Sequence, residues 1–521
     1  TYTWSSNGIP LVLNQDLTIF HSSSFPKLII EGGTIIAFDQ AELIVGSDSP
    51  GNGGLIADGV TFTSLDTTEL WDGITFKNYS SFNNQNDTLH CRLENSTIEY
   101  ANYGVRCYDA NPLVKNSLFK NNNYGINAEI GSEPNIIENH FSKNIEPIAI
   151  KSLNIDGNIF GNTFTNNLDS DLLSSDFIYV YTNANNYRLG SNKTYDWLLN
   201  GAPYRIRENM SVWEQYDNNQ VAILKLYPGV TMAFDPGVYL YIGQNSDGDA
   251  GALQADSVLF TGADSSLLWN QIRFLNYSRD DLSFIQNSII ERATDGVYLE
   301  SASPTIDSNL FRNNEDAIFA DGGSQPTVSY NTFTANSRPV YIYPHKIDNN
   351  LYGNSYSDNA KDYIEVPGGH LSENKTYHWL KDGAPYVITD NINVYRNNGS
   401  DSQRSWLNIE SGTELQFYGG KRLYIGKDHG GGGYWGGIQA EGVTFTAFSE
   451  GAENRWGGIT FYNKSWDGEE NNFIKSCIIS NADDAINCIS ANPVIRNSTF
   501  NGNDDAIFAD GGSQPTASYN T

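Results

Sequence analysis

Apolar and polar residues alternate along this chain in runs of three to six positions, and Asn, Asp and Gly interrupt the runs. Asn116-Ser117-Leu118-Phe119 and Asn331-Thr332-Phe333 are typical. Alternation with period two places successive side chains on opposite faces of a strand. No long segment carries the 3.6-residue period of an amphipathic helix, and no apolar run approaches the ~18 residues needed to span a membrane. The short runs are themselves periodic. Pro112 and Pro134 lie 22 residues apart, as do Pro304 and Pro326, Pro493 and Pro515, Phe119 and Phe141, and Phe311 and Phe333. A period near 22 suits one coil of a parallel β-helix, in which three short strands and three turns are followed by the next coil ~4.8 Å above. Parallel connections of this kind are right-handed. The expected fold is therefore all-β, a right-handed parallel β-helix solenoid with coils of about 22 residues. The Phe at each step is expected inside, in a core ladder, rather than outside as a platform for sugars.

A longer repeat contains the short one. Tyr2-x-Trp4-x-x-Asn7-Gly8-x-Pro10 returns at Tyr195 and again at Tyr377, with spacings of 193 and 182 residues. Later landmarks follow in the same order. Ala37-Phe38 matches Ala233-Phe234 and Gln416-Phe417, Gly46 matches Gly243 and Gly426, and Trp71–Phe76 matches Trp269–Phe274 and Trp456–Phe461. Three tandem modules are expected, over residues 1–190, 191–375 and 376–521. The third is incomplete: Asp505–Thr516 repeats Asp316–Thr327 identically, and the second module runs about 40 residues further from that point. Two explanations suit such an end. Either the polypeptide continues beyond Thr521, or open coil ends stack on copies of the same chain, head to tail or laterally. The first residues, Thr1-Tyr2-Thr3-Trp4, suit a mature, processed N-terminus.

The 22-residue steps, with their N-x-F marks and the pairs Gly125-Ile126, Ala317-Ile318 and Ala506-Ile507, resemble the β-helix repeats of the pectate-lyase-like superfamily. The order of Ile409–Phe417 and then Trp456-Gly457-Gly458-Ile459-Thr460-Phe461 resembles tandem modules in large surface proteins of archaea and bacteria. The resemblance covers essentially the whole chain. It implies the fold strongly and function weakly, because this fold carries lyases, hydrolases, adhesins and structural proteins alike.

Composition narrows the functional classes. The 521 residues hold 61 acidic against 31 basic side chains, a net charge of −30. A phosphate backbone needs a basic face, so nucleic acid is excluded as a partner, and so is an anionic membrane surface. The charge is spread along the chain, as on a self-repelling soluble surface. Abundant Asn and 48 Gly imply many tight turns, and 31 Tyr and 25 Phe against two Met favour strands.

Candidate chemistry is sparse. Asn481-Ala482-Asp483-Asp484-Ala485-Ile486 resembles the paired-Asp element of polygalacturonases, and Asn503-Asp504-Asp505-Ala506-Ile507 is similar. Two carboxylates at the right separation protonate a glycosidic oxygen and activate water. The accompanying Gly-His-Gly and Arg-x-Lys elements are missing. Equivalent positions elsewhere read Asn102-Tyr103-Gly104 and Thr294-Asp295-Gly296, an exchange that turn chemistry explains. No lyase site, nucleophile elbow or His pair at ligand spacing is found among His21, His90, His140, His345, His370, His378 and His429. No catalytic residue is assigned. No cofactor is expected, with Ca²⁺ at Asn245, Asp247 and Asp249 the single weak metal candidate, set against a plain acidic loop.

Ten N-x-S/T sequons occur, at Asn78, Asn86, Asn95, Asn192, Asn209, Asn276, Asn374, Asn398, Asn463 and Asn497. Asn78, Asn276 and Asn463 share one module position, and Asn192 and Asn374 share another. These five are the expected N-glycosylation sites. Cys91 with Cys107 and Cys477 with Cys488 form two local groups; disulfides and buried thiols both suit their spacing. Together these features point to a non-enzymatic structural protein of the cell exterior, a subunit of a surface layer, sheath or filament whose partners are copies of itself. A carbohydrate-binding or polysaccharide-cleaving protein with glycan partners is the second expectation, and an adhesin stalk the third.

Overall fold

The computed structural model describes residues 1–80, 90–129, 131–168, 176–182, 188–214, 220–246, 248–396, 403–427, 433–449, 451, 454–465 and 472–521. The fold is an all-β, right-handed parallel β-helix. Two compact units are distinguished, Thr1–Asn270 with Tyr277–Leu282, and Gln271–Asn276 with Ser283–Thr521.

In the first unit, strands recur in threes and stack into three columns. The first column runs from Tyr2–Trp4 through Lys27–Ile30 and Cys91–Glu94 to Ile159–Phe160. The second runs from Leu11–Leu13 to Thr163–Thr165, and the third begins at Leu17–Ile19. Stacking is in register: Phe119 pairs with Phe141, and Phe141 with Phe164. Their rings stack with centroids 5.1 and 5.2 Å apart. In the second unit Phe311, Phe333 and Tyr356 form the equivalent ladder at 5.2 and 5.1 Å. Phe119, Phe141, Phe311 and Phe333 are fully buried, so the 22-residue Phe is a core residue. The repeated Trp has the same explanation. Trp71, Trp269 and Trp456 are fully buried and stack on Phe38, Phe234 and Phe417 at 3.9, 4.4 and 4.5 Å.

Many asparagines lie in turns, as expected, and are buried there in hydrogen-bonded ladders. Asn122 Nδ2 donates to Asn144 Oδ1 at 2.9 Å, and Asn144 Nδ2 to Asn167 Oδ1 at 3.0 Å. Each Oδ1 also accepts the backbone N–H of the Asn one coil earlier, as Asn144 does from Asn122 at 3.1 Å. The second unit holds two such series, Asn309–Asn331–Asn354 and Asn314–Asn336–Asn359. A turn between parallel columns leaves backbone groups that no strand can pair, and the stacked amides satisfy them.

Among the described residues, each of the first two sequence repeats carries 22 strands, seven coils of three and one over. The extra strand shifts the columns. In the first unit, the third column passes from Glu146–Lys151 through Ile178–Tyr181 into Tyr204–Ile206, which is equivalent in sequence to the second-column strand Leu11–Leu13. A new third column starts at Arg188–Leu189. In the second unit, Arg338–Tyr341 passes through Ile364–Val366 into Tyr386–Ile388 in the same way, and Gly369–Leu371 starts the new column. The first column continues through both shifts: Gly157 N–H donates to Asp196 O at 2.7 Å, and Asn349 N–H to His378 O at 3.0 Å.

Candidate functional site

Outward positions of the third column hold the densest set of charged and aromatic side chains. In the second unit, Ala293–Leu299, Asp316–Ala320 and Arg338–Tyr341 stack so that Asp295, Asp316 and Arg338 are in register, as are Val297, Ile318 and Val340. The three aliphatic residues face the core and are at most 1% exposed. The alternation then turns Tyr298, Phe319 and Tyr341 outward. These rings stack at 4.8 and 4.7 Å with interplanar angles of 12° and 4°.

Charges thread this aromatic ladder. Arg338 Nε donates to Asp316 Oδ1 at 2.9 Å, its Nη2 contacts Asp316 Oδ2, and its Nη1 donates to Glu365 Oε1 at 3.3 Å. Lys361 Nζ donates to Glu365 Oε2 at 2.7 Å. Arg338 also lies 4.7 Å from the Tyr341 ring centroid, and Arg273, paired with Glu300 at 2.6 Å, lies 4.8 Å from that of Tyr298. Burial raises the Asp295 carboxyl to about 6, with the neighbouring Asp316 carboxylate adding to the effect. A carboxyl poised near neutrality beside a second carboxylate is the raw material of acid–base chemistry. Here, however, Asp316 is already held by Arg338, and the stacked rings cover each other's faces. A sugar would meet ring edges and charged rims.

Equivalent strands differ in the first repeat and keep the paired Asp in the third. In the first unit Tyr103, Tyr124 and Glu146 take the places of Asp295, Asp316 and Arg338. Tyr181 Oη donates to Glu146, and Arg207 Nη1 donates to Glu146 Oε1 at 3.2 Å and to Tyr181 Oη at 3.0 Å. In the third repeat Asp484 and Asp505 are in register, with Arg422 Nη1 4.0 Å from Asp484. Asp483 N–H donates to Trp456 O at 2.8 Å, and Asp504 pairs with Arg455. The spacing of Asp295, Asp316 and Arg338 was visible in the sequence. Their alignment on one face was hidden because Gly296 interrupts the alternation inside Ala293–Leu299.

The other candidate residues are dispersed. Asn192, Asn276, Asn374 and Asn463 are exposed and Asn78 is half-buried. In the proposed Ca²⁺ loop Asn245 is exposed, Asp249 is 6% exposed with its N–H donating to Ser246 O at 3.3 Å, and Asp247 lies outside the described residues. Of the two states open to the cysteines, the structure holds the reduced one. Cys91, Cys107, Cys477 and Cys488 are buried free thiols. Cys91 belongs to the first column and Cys107 to the third, and the Cys91 thiol is directed to the carbonyls of Gly53 and Ser80 instead. Burial pushes the Cys477 thiol up to about 11 and that of Cys488 to about 12. His345 Nε2 donates to Gly322 O at 2.9 Å, and burial lowers its pKa.

A family model described as periplasmic copper-binding protein (NosD) matches residues 255–391. No curated protein and no solved structure shows significant similarity to the chain. Copper sites draw on thiolate, thioether and imidazole ligands. Here Met210 and Met232 are fully buried in the core, the four thiols are buried, burial raises the pKa of those of Cys107, Cys477 and Cys488, and no three His, Cys, Asp or Glu side chains converge on a metal position among the described residues. The residues present do not fit a copper centre, and no step is assigned to one.

Proposed function

We propose that the chain is a non-enzymatic structural protein working outside the cytoplasm, a β-helical subunit of a surface layer, sheath or filament. One observation carries this reading. The outward register that holds Asp295, Asp316 and Arg338 in the second repeat holds Tyr103, Tyr124 and Glu146 in the first, so the paired carboxylates shared by the second and third repeats are missing there, while the core ladders beneath are kept in all three. A catalytic constellation demands fixed chemistry at fixed places; a scaffold demands only the coil. The periplasmic description of the matching family supports a location outside the cytoplasm, as do the sequons. No helix among the described residues is long and apolar enough to cross a membrane. Fractionation of the producing cells tests the location: the account expects the protein in the envelope or exterior fraction, and recovery in the cytoplasm contradicts it.

A second reading, binding of a polysaccharide along the Tyr298–Phe319–Tyr341 face, is favoured by the half-buried carboxylates and arginines beside those rings. A glycan array read with wild type and with Asp316→Ala separates the two. A hit lost in the variant supports binding at this face, and no hit supports the scaffold.

A further inference from the structure

We propose that N-linked glycans occupy one edge of the coil in each unit, the edge at which the chain enters the first column. This rests on the location outside the cytoplasm proposed above. In the first unit Asn78 precedes the first-column strand Cys91–Glu94, and Asn192 precedes Thr194–Trp197. In the second unit Asn276 precedes Phe284–Gln286, Asn374 precedes Thr376–Trp379, and Asn463 precedes Phe473–Lys475. All five sequons picked out by module register therefore fall at the same kind of turn. That convergence was not visible from the linear sequence, because the extra strand in each repeat changes which columns the flanking strands join.

The side-chain geometry at this edge suits modification. Asn192 Oδ1 accepts the Val221 N–H at 3.0 Å, and Asn374 Oδ1 accepts the Arg404 N–H at 2.9 Å. Each bond ties the sequon to the start of the next first-column strand through the carbonyl oxygen. A glycan is carried by Nδ2, so it leaves this bond in place. At the other register position, the sequon serines Ser80, Ser278 and Ser465 are buried at 2, 8 and 1% exposure. A Cβ on Gly243, at φ +73°, would collide with the Ser278 backbone, so the turn is tightly packed beneath while Asn276 stays exposed.

Of the other described sequons, Asn209 is exposed before Met210–Val212 with its Oδ1 accepting the Tyr239 N–H at 3.0 Å, whereas Asn95 and Asn497 lie in tighter turns. Asn95 and Asn497 each occupy a two-residue turn between the first and second columns. Successive turns there are bonded coil to coil, Asn95 N–H to Lys115 O at 3.1 Å and Asn116 N–H to Ile137 O at 3.2 Å. Asn95 Nδ2, the atom that would carry sugar, donates to Asp58 Oδ1 at 2.7 Å. Asn86 and Asn398 lie outside the described residues.

The chemistry is a glycosyl transfer from an activated donor, a sugar joined through its anomeric carbon to a phosphate leaving group. The Nδ2–C1 bond forms, the C1–O bond to phosphate breaks, and one amide proton is lost. The alternative is that these asparagines are kept only for their hydrogen bonds. Glycopeptide mass spectrometry of protein isolated from its own cells decides between them. The proposal expects glycan mass on peptides holding Asn78, Asn192, Asn276, Asn374 and Asn463, and none on those holding Asn95 and Asn497. Thr194→Ala, which keeps the Asn192 bond but destroys the sequon, should remove one glycan. Bare asparagines on protein recovered from the cell exterior overturn this proposal alone, and equal occupancy at Asn95 and Asn497 overturns the edge assignment. A protein confined to the cytoplasm contradicts the location as well.

Discussion

Asn354 is the last amide of its ladder, and Asp382 closes it: the Asn354 N–H donates to Oδ1 at 2.8 Å and Nδ2 donates to Oδ2 at 2.8 Å. A carboxylate is an acceptor without a donor of its own, so it ends the series without orphaning a hydrogen. Two more ladders close in the same manner, Asn167 on Asp176 and Asn359 on Asp362. The ladder Asn139–Asn162–Asn200 differs, ending with Asn200 Nδ2 donating to Tyr204 Oη at 2.8 Å.

Interrupting a ladder should be costly. Asn331 accepts the N–H and Nδ2 of Asn309 at 2.9 and 3.0 Å and donates to Ile306 O at 2.9 Å. Asn331→Leu leaves two buried donors without acceptors, at about 1–3 kcal/mol each. Denaturant unfolding should show that loss, whereas Asn349→Gly, at an exposed position with φ +57° that Gly adopts freely, should change stability by less than about 0.5 kcal/mol.

The inner and outer aromatic ladders should differ in cost. Phe333→Ala opens a cavity in a fully buried stack and is expected to destabilise by about 3–5 kcal/mol. Phe319→Ala removes a half-exposed ring stacked on both sides and should cost about 0.5–1.5 kcal/mol beyond its modest burial. Thermal melts of the two variants measure the difference.

Much of this was legible in the chain. Phe119 and Phe141 announced the coil because a buried ladder needs one residue type at one period. Trp71 and Phe38 recurred together because they stack. The asparagines were legible only as turn formers, since the stacking of coils is what shows Asn122 and Asn144 buried. The column shift was hidden because a repeat of 182 or 193 residues does not reveal how many strands it holds. The cysteines stayed open between bridge and thiol for a related reason: sequence proximity of Cys91 and Cys107 says nothing about which columns they join.

Asp295 gives the fold a pH dependence of definite sign. Its folded pKa of about 6 lies above the ordinary carboxylate range, so the native state holds its proton where the unfolded chain has released it. The Asp295 contribution to stability is therefore fully present below about pH 4 and lost as pH rises through about 6. Asp295→Asn should stabilise the protein at pH 7 relative to wild type, with the difference vanishing in acid. Melting curves across that range check the sign.

The thiols should be silent in the native protein. All four are buried, and burial holds those of Cys477 and Cys488 protonated at pH 8. Thiol-reactive dye should label none of the four until denaturant is added, and then all four. Fewer than four labelled in denaturant without reductant would mean that bridges form after all.

The scaffold reading meets its most direct test in electron micrographs of the native envelope material, with antibody to this chain marking its position. The account predicts label on a regular layer, sheath or filament built of rods. Dispersed single rods, with label on no ordered array, would contradict it.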